Sequence, residues 1–365
     1  MSNLKSFYLG SVNPPIYQAS TLVFDNLSEL AKAKKLYGRG GTATNDVLAA
    51  EIAKLEKAEK SIIVSSGVSA ISSVLLSILK QNDHMLVCKS AYEPTKDLCN
   101  GVLSNFGVKT DYFTGNATRT DVESLITEKT KVIFLESPAS ISFEIQDLAE
   151  IVKLAKKHNI LTIIDNTWSA GYFLKPLDLG IDISIQSLSK YVSGHSDILL
   201  GSISFKNIKL FEEVWPNFYQ LGDHASPQDC YLAFRGLQTL PIRMRQHETS
   251  ALKLTNLLEK NSKIAKVIYP ALSSSTEYAR FKKYFTGSNG LISIVFKDEI
   301  SELEVKKFID NLHYFKLGYS WGGYDSLVMY YKETKLRKAI VRLSIGLEDI
   351  DVLSSDLENA LAKIC

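Results

Sequence analysis

Apolar residues along this chain switch between two spacings. Short runs that are apolar at nearly every position fall at 61–64, 85–87, 131–135, 161–164 and 181–186, and they predict strands. Between several of them the spacing lengthens to the helical period, predicting helices over 69–79 and 148–157. Strands that are apolar throughout must be covered on both faces, and a parallel neighbour is reached only by a crossover. Together the two patterns predict a large α/β domain built on a mostly parallel sheet.

The ends of the chain follow other rules. Residues 1–45 carry Pro14, Pro15 and the cluster Gly38, Gly40 and Gly41, with helical spacing only near 27–36, so they read as an arm rather than a core. Val47, Leu48, Ile52 and Leu55 then open a helix for which Asn45 is the predicted N-cap. Beyond Pro227 helical spacing continues to about residue 261, and Pro241 predicts a kink or a break within it. Strand-like runs at 266–269, 291–296 and 340–345, with helices over 301–312 and 349–364, make a smaller α+β domain. The predicted organisation is an arm over 1–45, a large domain over 46–235 and a C-terminal domain over 236–365.

At 365 residues the chain exceeds the size at which a single core stops growing, which agrees with two domains. Lys and Arg total 42 against 40 Asp and Glu, and the net charge of +2 gives no electrostatic case for nucleic acid or an anionic membrane as partner. Any anion site must therefore be local. No apolar stretch is long enough to span a bilayer and nothing indicates export, so a cytoplasmic location is expected. Cys88, Cys99, Cys230 and Cys365 are widely spaced; they form no zinc or dithiol pattern, and free thiols without a metal are expected.

In a parallel sheet the carboxyl ends of the strands open on one crevice, where loops hold ligands. Three such loops carry chemistry here. The first, SSGVSAI at 65–71, passes through Gly67 into a helix whose free N–H groups can bind phosphate, although a glycine before a helix is usually only a turn. The second, DNTWSAG, puts Asp165 at the end of a buried strand. A carboxylate there needs a partner, either a helix terminus or an arginine in a structural role, or the cation of a cofactor. The third, SIQSLSKYVSGHSD, brings Ser187, Ser189 and Lys190 to the same edge. Burial lowers the pKa of a lysine and frees its amine to condense with an aldehyde. An aldehyde-binding amine, hydroxyls for a phosphate and an anion for a ring cation together meet the needs of pyridoxal phosphate (PLP). Tyr92, after the strand at 85–87, could stack on the ring; without the other loops it reads as an ordinary core or surface tyrosine.

Further motifs join these loops: LYGRGGT (36–42), FLESPAS (134–140), RGLQTLPIRMRQH (235–247), FTGSNGL (285–291), YSWGGYDSL (319–327) and VRLSIGLED (341–349). In this order, over nearly the whole chain, they resemble the Cys/Met-metabolism family of fold-type I PLP enzymes, and within it the bacterial cystathionine β-lyases. The resemblance implies that Lys190 forms the Schiff base with the cofactor, that Asp165 binds the pyridine nitrogen and that Tyr92 stacks on the ring and belongs to the catalytic set. It implies a phosphate site made by Gly67, Val68, Ser187 and Ser189, completed by Tyr37 and Arg39 of a neighbouring subunit. At least a dimer follows, in the family usually a tetramer of two such dimers. Arg342 is implied to bind the substrate α-carboxylate, with bidentate geometry as arginine's advantage, and Ser320, Trp321 and Asp97 to line the substrate.

The β-lyase branch is implied mainly by Trp321, because the γ-type relatives usually have Leu in this motif, and by AYEPTKD with Asp97. The implied reaction removes the Cα proton by Lys190 and expels a thiolate from Cβ, turning cystathionine into homocysteine, pyruvate and ammonia; cysteine and other S-conjugates are within its reach. One residue departs from the pattern. Gly40 stands where such β-lyases commonly carry a second arginine, which implies weaker recognition of the distal end of cystathionine. Two rivals stay open: γ-elimination or γ-replacement on the same scaffold, and a regulatory or binding protein that keeps the PLP fold. The intact set Lys190, Asp165, Tyr92 and Arg342 argues against the second.

Overall fold

The computed structural model describes residues 10–332 and 339–364; residues 1–9 of the expected arm and Cys365 lie outside them. Seven strands form the larger sheet: β1 (Lys60–Val64), β2 (His84–Cys88), β3 (Lys109–Phe113), β4 (Thr130–Glu136), β5 (Leu161–Asp165), β6 (Ile183–Ser187) and β7 (Gly201–Phe205). Their spatial order is β1-β7-β6-β5-β4-β2-β3. Strands β6, β5, β4, β2 and β3 are parallel, whereas β7 runs antiparallel to both β6 and β1. Two reversals cancel, so β1 points the same way as β6. The carboxyl ends of β1, β2, β4, β5 and β6 therefore share one edge, and that edge carries the loops named above.

Alternate residues of each strand face opposite sides of the sheet, and here both sides are apolar because both are covered. Leu86, Ile133, Leu135 and Ile164 pack toward the Leu148–Lys157 helix. Met85, Val87, Val132, Phe134, Ile163 and Ile185 pack toward the Gly67–Ile78 helix. Strands β3 and β7 escaped the apolar-run pattern for a physical reason. β3, KTDYF, closes the sheet edge and buries only its last residue, while β7, GSISF, is buried throughout with small hydroxyl side chains.

Asn45 is not the N-cap expected of it. The helix begins at Ala43 with Thr42 as its cap, and Asn45, three residues on, accepts the Thr42 N–H at 2.8 Å while its amide donates to Ala225 O at 2.8 Å. Pro241 does break the long helical stretch: helices Pro227–Gln238 and Leu240–Glu259 meet at Thr239, and the proline sits in the first turn, where a missing N–H is tolerated.

The second sheet contains β8 (Ile264–Ile268), β9 (Leu291–Phe296), β10 (Lys316–Leu317), β11 (Leu327–Lys332) and β12 (Ala339–Ser344), ordered β10-β11-β12-β9-β8. One face buries Ile292, Ile294, Val341 and Leu343 against the helices Leu240–Glu259, Glu302–Asp310 and Ile350–Ala362. Ser293 and Arg342, in register with each other, take the opposite face and reach the loop after β4. Ser293 Oγ donates to Ile141 O at 2.9 Å and Arg342 Nη1 to Ser140 O at 3.3 Å, which brings the second sheet onto the functional edge of the first. Among the described residues Cys88, Cys99 and Cys230 are free and buried, and no helix is long and apolar enough to cross a membrane.

Candidate active site

From Val64 the chain turns through Ser65 and Ser66 into the Gly67–Ile78 helix. Ser66 Oγ accepts the Ser69 N–H at 3.0 Å, which leaves the N–H groups of Gly67 and Val68 at the helix mouth without an acceptor among the described residues. A Cβ on Gly67 would lie 2.8 Å from Ser187 Cβ and 3.1 Å from Ser187 Oγ. The helix mouth and the end of β6 approach this closely only because residue 67 is glycine. Free N–H groups, a helix N-terminus and the Ser187 hydroxyl converge there, the donor set an anion needs. Ser189 is placed differently from expectation. Its hydroxyl accepts the Leu200 N–H at 2.9 Å and donates to Leu200 O at 3.2 Å, so it serves the main chain rather than the cradle.

Strand β5 ends on Asp165, buried, with Oδ1 accepting the Thr167 N–H at 2.9 Å. Thr167 Oγ1 accepts the Ser187 N–H at 2.8 Å and so ties the Asp165 loop to the cradle. Across the register from Asp165 is Glu136 at the end of β4, also buried. Glu136 Oε2 accepts the Tyr92 N–H at 2.6 Å and Oε1 the Ser140 N–H at 3.2 Å. Burial pushes both carboxyls up; Glu136 is raised further by the charge of Asp165, whereas Asp165 is held down by Thr167 and Lys190.

Lys190 Nζ donates to Ser320 Oγ at 2.7 Å and lies 5.7 Å from the centre of the Trp321 ring. Burial lowers its pKa, the nearby Arg342 charge lowers it again, Asp165 opposes both, and the amine comes to about 8. Ser320 is at φ +105°, a region side chains other than glycine avoid, and the turn is pressed in by Gly322, whose Cβ would stand 2.8 Å from Tyr191 N. Buried Trp321 packs on Tyr191 with ring centres 5.3 Å apart. Arg342 gives Nη1 to Ser140 O and Nη2 to Ser320 O, both at 3.3 Å, and stacks 5.2 Å from the Tyr331 ring. Tyr92 is half exposed, its phenol pushed up by burial and then by the charges of Asp165 and Glu136.

The structure thus gathers Gly67, Val68, Ser187, Asp165, Lys190, Tyr92, Ser320, Trp321 and Arg342 at one crevice. Besides Ser189, three expected residues are not in that set: Tyr37 and Arg39, which were expected at a neighbouring subunit's site, and Asp97. Arg39 stacks 4.6 Å from the ring of Tyr219 and 5.8 Å from that of Tyr37, and it lines a groove of about 1080 Å³ with Lys35, Trp215 and Asp223. Asp97 is exposed on the Glu93–Leu98 helix, where its charge acts on Tyr112. Glu136, Thr167, Ser140 and Tyr331 were missed by sequence reasoning. Glu136 could have been found, since it ends an apolar run just as Asp165 does; nothing in the sequence marks Tyr331 as a neighbour of Arg342.

The cradle that a Cβ at residue 67 would fill, the low-pKa amine of Lys190 and the buried carboxyl of Asp165 fit a phosphorylated aldehyde with a basic ring nitrogen, and the fold and site together are those of a fold-type I PLP enzyme. The chain belongs to the Cys/Met metabolism PLP-dependent enzyme family, whose sequence profile matches residues 2–362. It is 37% identical to the cystathionine beta-lyase of Escherichia coli over 380 residues, covering 99% of this chain and 96% of that protein. It is 35% identical to an L-methionine gamma-lyase of Fusobacterium nucleatum, covering 99% and 96% of the two chains. The crystal structure of cystathionine gamma-lyase from Lactobacillus plantarum complexed with L-serine superposes with a TM-score of 0.91 at 32% identity, over 96% of this chain and 93% of that one. The protein is therefore a PLP-dependent enzyme of the cysteine and methionine lyase type.

Proposed function

We propose that this enzyme is a carbon–sulfur β-lyase that cleaves cystathionine to homocysteine, pyruvate and ammonia, and accepts other cysteine thioethers. The observation that carries the reading is Trp321, seated on Tyr191 with its ring beside Lys190 Nζ, in the motif where γ-type relatives usually have Leu. The similarity to the Escherichia coli enzyme supports it.

In this reading Lys190 holds the cofactor, Asp165 pairs with its ring nitrogen, Tyr92 covers the ring, and Gly67, Val68 and Ser187 bind the phosphate, with Ser189 joining if its hydroxyl turns from Leu200. When bound, PLP supplies an electron sink for the charge left at Cα. Arg342, fixed by two carbonyls, binds the substrate α-carboxylate as a fork. Lys190, once the substrate's amino group has displaced it from the cofactor, takes the Cα proton and returns one to the departing sulfur, so a single amine balances both transfers, and a pKa of about 8 keeps part of it neutral at physiological pH. Ser320 orients that amine through its hydroxyl. Tyr37 and Arg39, which pack together with Arg39 beside Tyr219, are proposed to serve the site of a second copy in a dimer, and pairs of dimers to form a tetramer in the cytoplasm.

The likeness to the Lactobacillus gamma-lyase structure favours γ-cleavage as a second reading. Products separate the two. With cystathionine, β-cleavage gives homocysteine and pyruvate; cysteine and 2-oxobutyrate as the main products would replace the first reading by the second.

A further inference from the structure

Glu136 is the buried ionisable group of the crevice to which the reading above gives no part. It is 5% exposed and faces Asp165 in register, with Lys96, Tyr92, Cys88 and Arg342 as other charged or titratable neighbours. Both of its oxygens are committed to main-chain donors, the N–H of Tyr92 at 2.6 Å and of Ser140 at 3.2 Å. Those donors belong to different loops. One loop carries the Tyr92 ring. The other carries the Ser140 carbonyl, which accepts Arg342 Nη1 at 3.3 Å, while Arg342 Nη2 rests on Ser320 O at 3.3 Å and the Ser320 hydroxyl takes Lys190 Nζ at 2.7 Å. One carboxyl thus stands at the root of a path running Glu136, Ser140, Arg342, Ser320, Lys190, and at the root of the Tyr92 loop as well.

We propose that Glu136 is a positioning residue that sets the direction of the Arg342 guanidinium against the Tyr92 ring, and so the pose in which an amino-acid carboxylate is held. The proposal rests on the reading of Arg342 as the carboxylate-binding residue. Glu136 itself touches neither substrate nor cofactor. Its chemistry suits the task because a carboxyl can accept at both oxygens at once, whereas an amide of the same shape turns an N–H toward one of the two donors. Glu136→Gln therefore keeps the volume and releases one loop.

The test uses the PLP-loaded enzyme and two amines that have no leaving group to expel, glycine, which has the carboxylate, and methylamine, which lacks it. Binding is read from the change in cofactor absorbance. In Glu136→Gln, glycine should bind about tenfold or more weakly, the scale of a misdirected hydrogen bond to a charged group, while methylamine stays within about threefold. In an Arg342→Ala background glycine is already weak, and adding Glu136→Gln should change it little, because both act on one contact. Unchanged glycine binding in Glu136→Gln, equal weakening of both probes, or additive losses in the double variant would each overturn the proposal. If Arg342→Ala leaves glycine binding intact, the reading of Arg342 fails first and takes the proposal with it. Should Glu136→Gln not retain PLP, Glu136→Asp, which keeps the charge but is too short to reach both donors, must show the same selective loss of glycine or the proposal falls.

Discussion

Removing the positive charge beside Lys190 should slow the loading of the cofactor in a way that pH restores. In the cofactor-free protein the Lys190 amine comes to about 8, lowered first by burial and next by Arg342, with Asp165 acting against them. At pH 7.5 a pKa of about 8 leaves roughly a quarter of the amines neutral, while an unperturbed lysine leaves roughly one in a thousand. Only the neutral amine attacks an aldehyde, so the rate of PLP addition should climb with pH and level off above a midpoint near 8. Arg342→Met removes a cause that lowers the pKa, so its midpoint should move up; each unit costs about tenfold in neutral amine at a fixed pH below the midpoint. Asp165→Asn removes the opposing cause and should move the midpoint down. The assay is the growth of visible absorbance after mixing cofactor-free protein with PLP, from pH 6.5 to 10.5, in the three proteins. A parent midpoint near that of free lysine, or one midpoint shared by all three, would refute the electrostatic account of this site.

Three further outcomes follow from the geometry. Gly67→Ala puts a methyl 2.8 Å from Ser187 Cβ, so PLP affinity should fall about tenfold or more with the fold intact; equal PLP affinity in equilibrium dialysis would mean that the cradle lies elsewhere. An inactive Lys190→Ala chain mixed with an inactive Arg39→Ala chain should regain part of the activity, because one site of each hybrid dimer would be wholly wild type; no recovery despite demonstrated subunit exchange counts against a shared site. Gly40 has a negative φ, and its added Cβ would meet Tyr219 Cε2 at 3.4 Å, an ordinary contact. Gly40→Arg should therefore fold and raise kcat/KM for cystathionine over small cysteine thioethers by about tenfold, and an unaltered preference ratio would remove Gly40 from the specificity argument.

Much of the scaffold is legible from local pattern alone. The apolar runs ending at Val64, Val87, Leu135, Ile164 and Gln186 are read correctly because a strand buried on both faces leaves a mark that depends on no distant residue. Asp165 is legible for the complementary reason, since a charge that terminates such a run is anomalous in local sequence, and Lys190 stands out in the turn just after the run that ends at Gln186. Strands β3 and β7 are not legible: one is an edge strand, the other is buried with hydroxyl side chains whose partners, such as Ser61 with Ser204 at 2.8 Å, come from a remote strand.

What tertiary structure alone decides is which charges share a space. Glu136 and Asp165 are 29 positions apart in the chain yet adjacent in register, and Arg342 joins them only because β12 of the second sheet turns alternate side chains onto the loop after β4. The low pKa of Lys190 and the direction of Arg342 depend on these pairings. Desolvation and Coulomb interaction depend on distance through the fold and not along the chain, so the sequence can name the ionisable groups while their protonation is settled by packing.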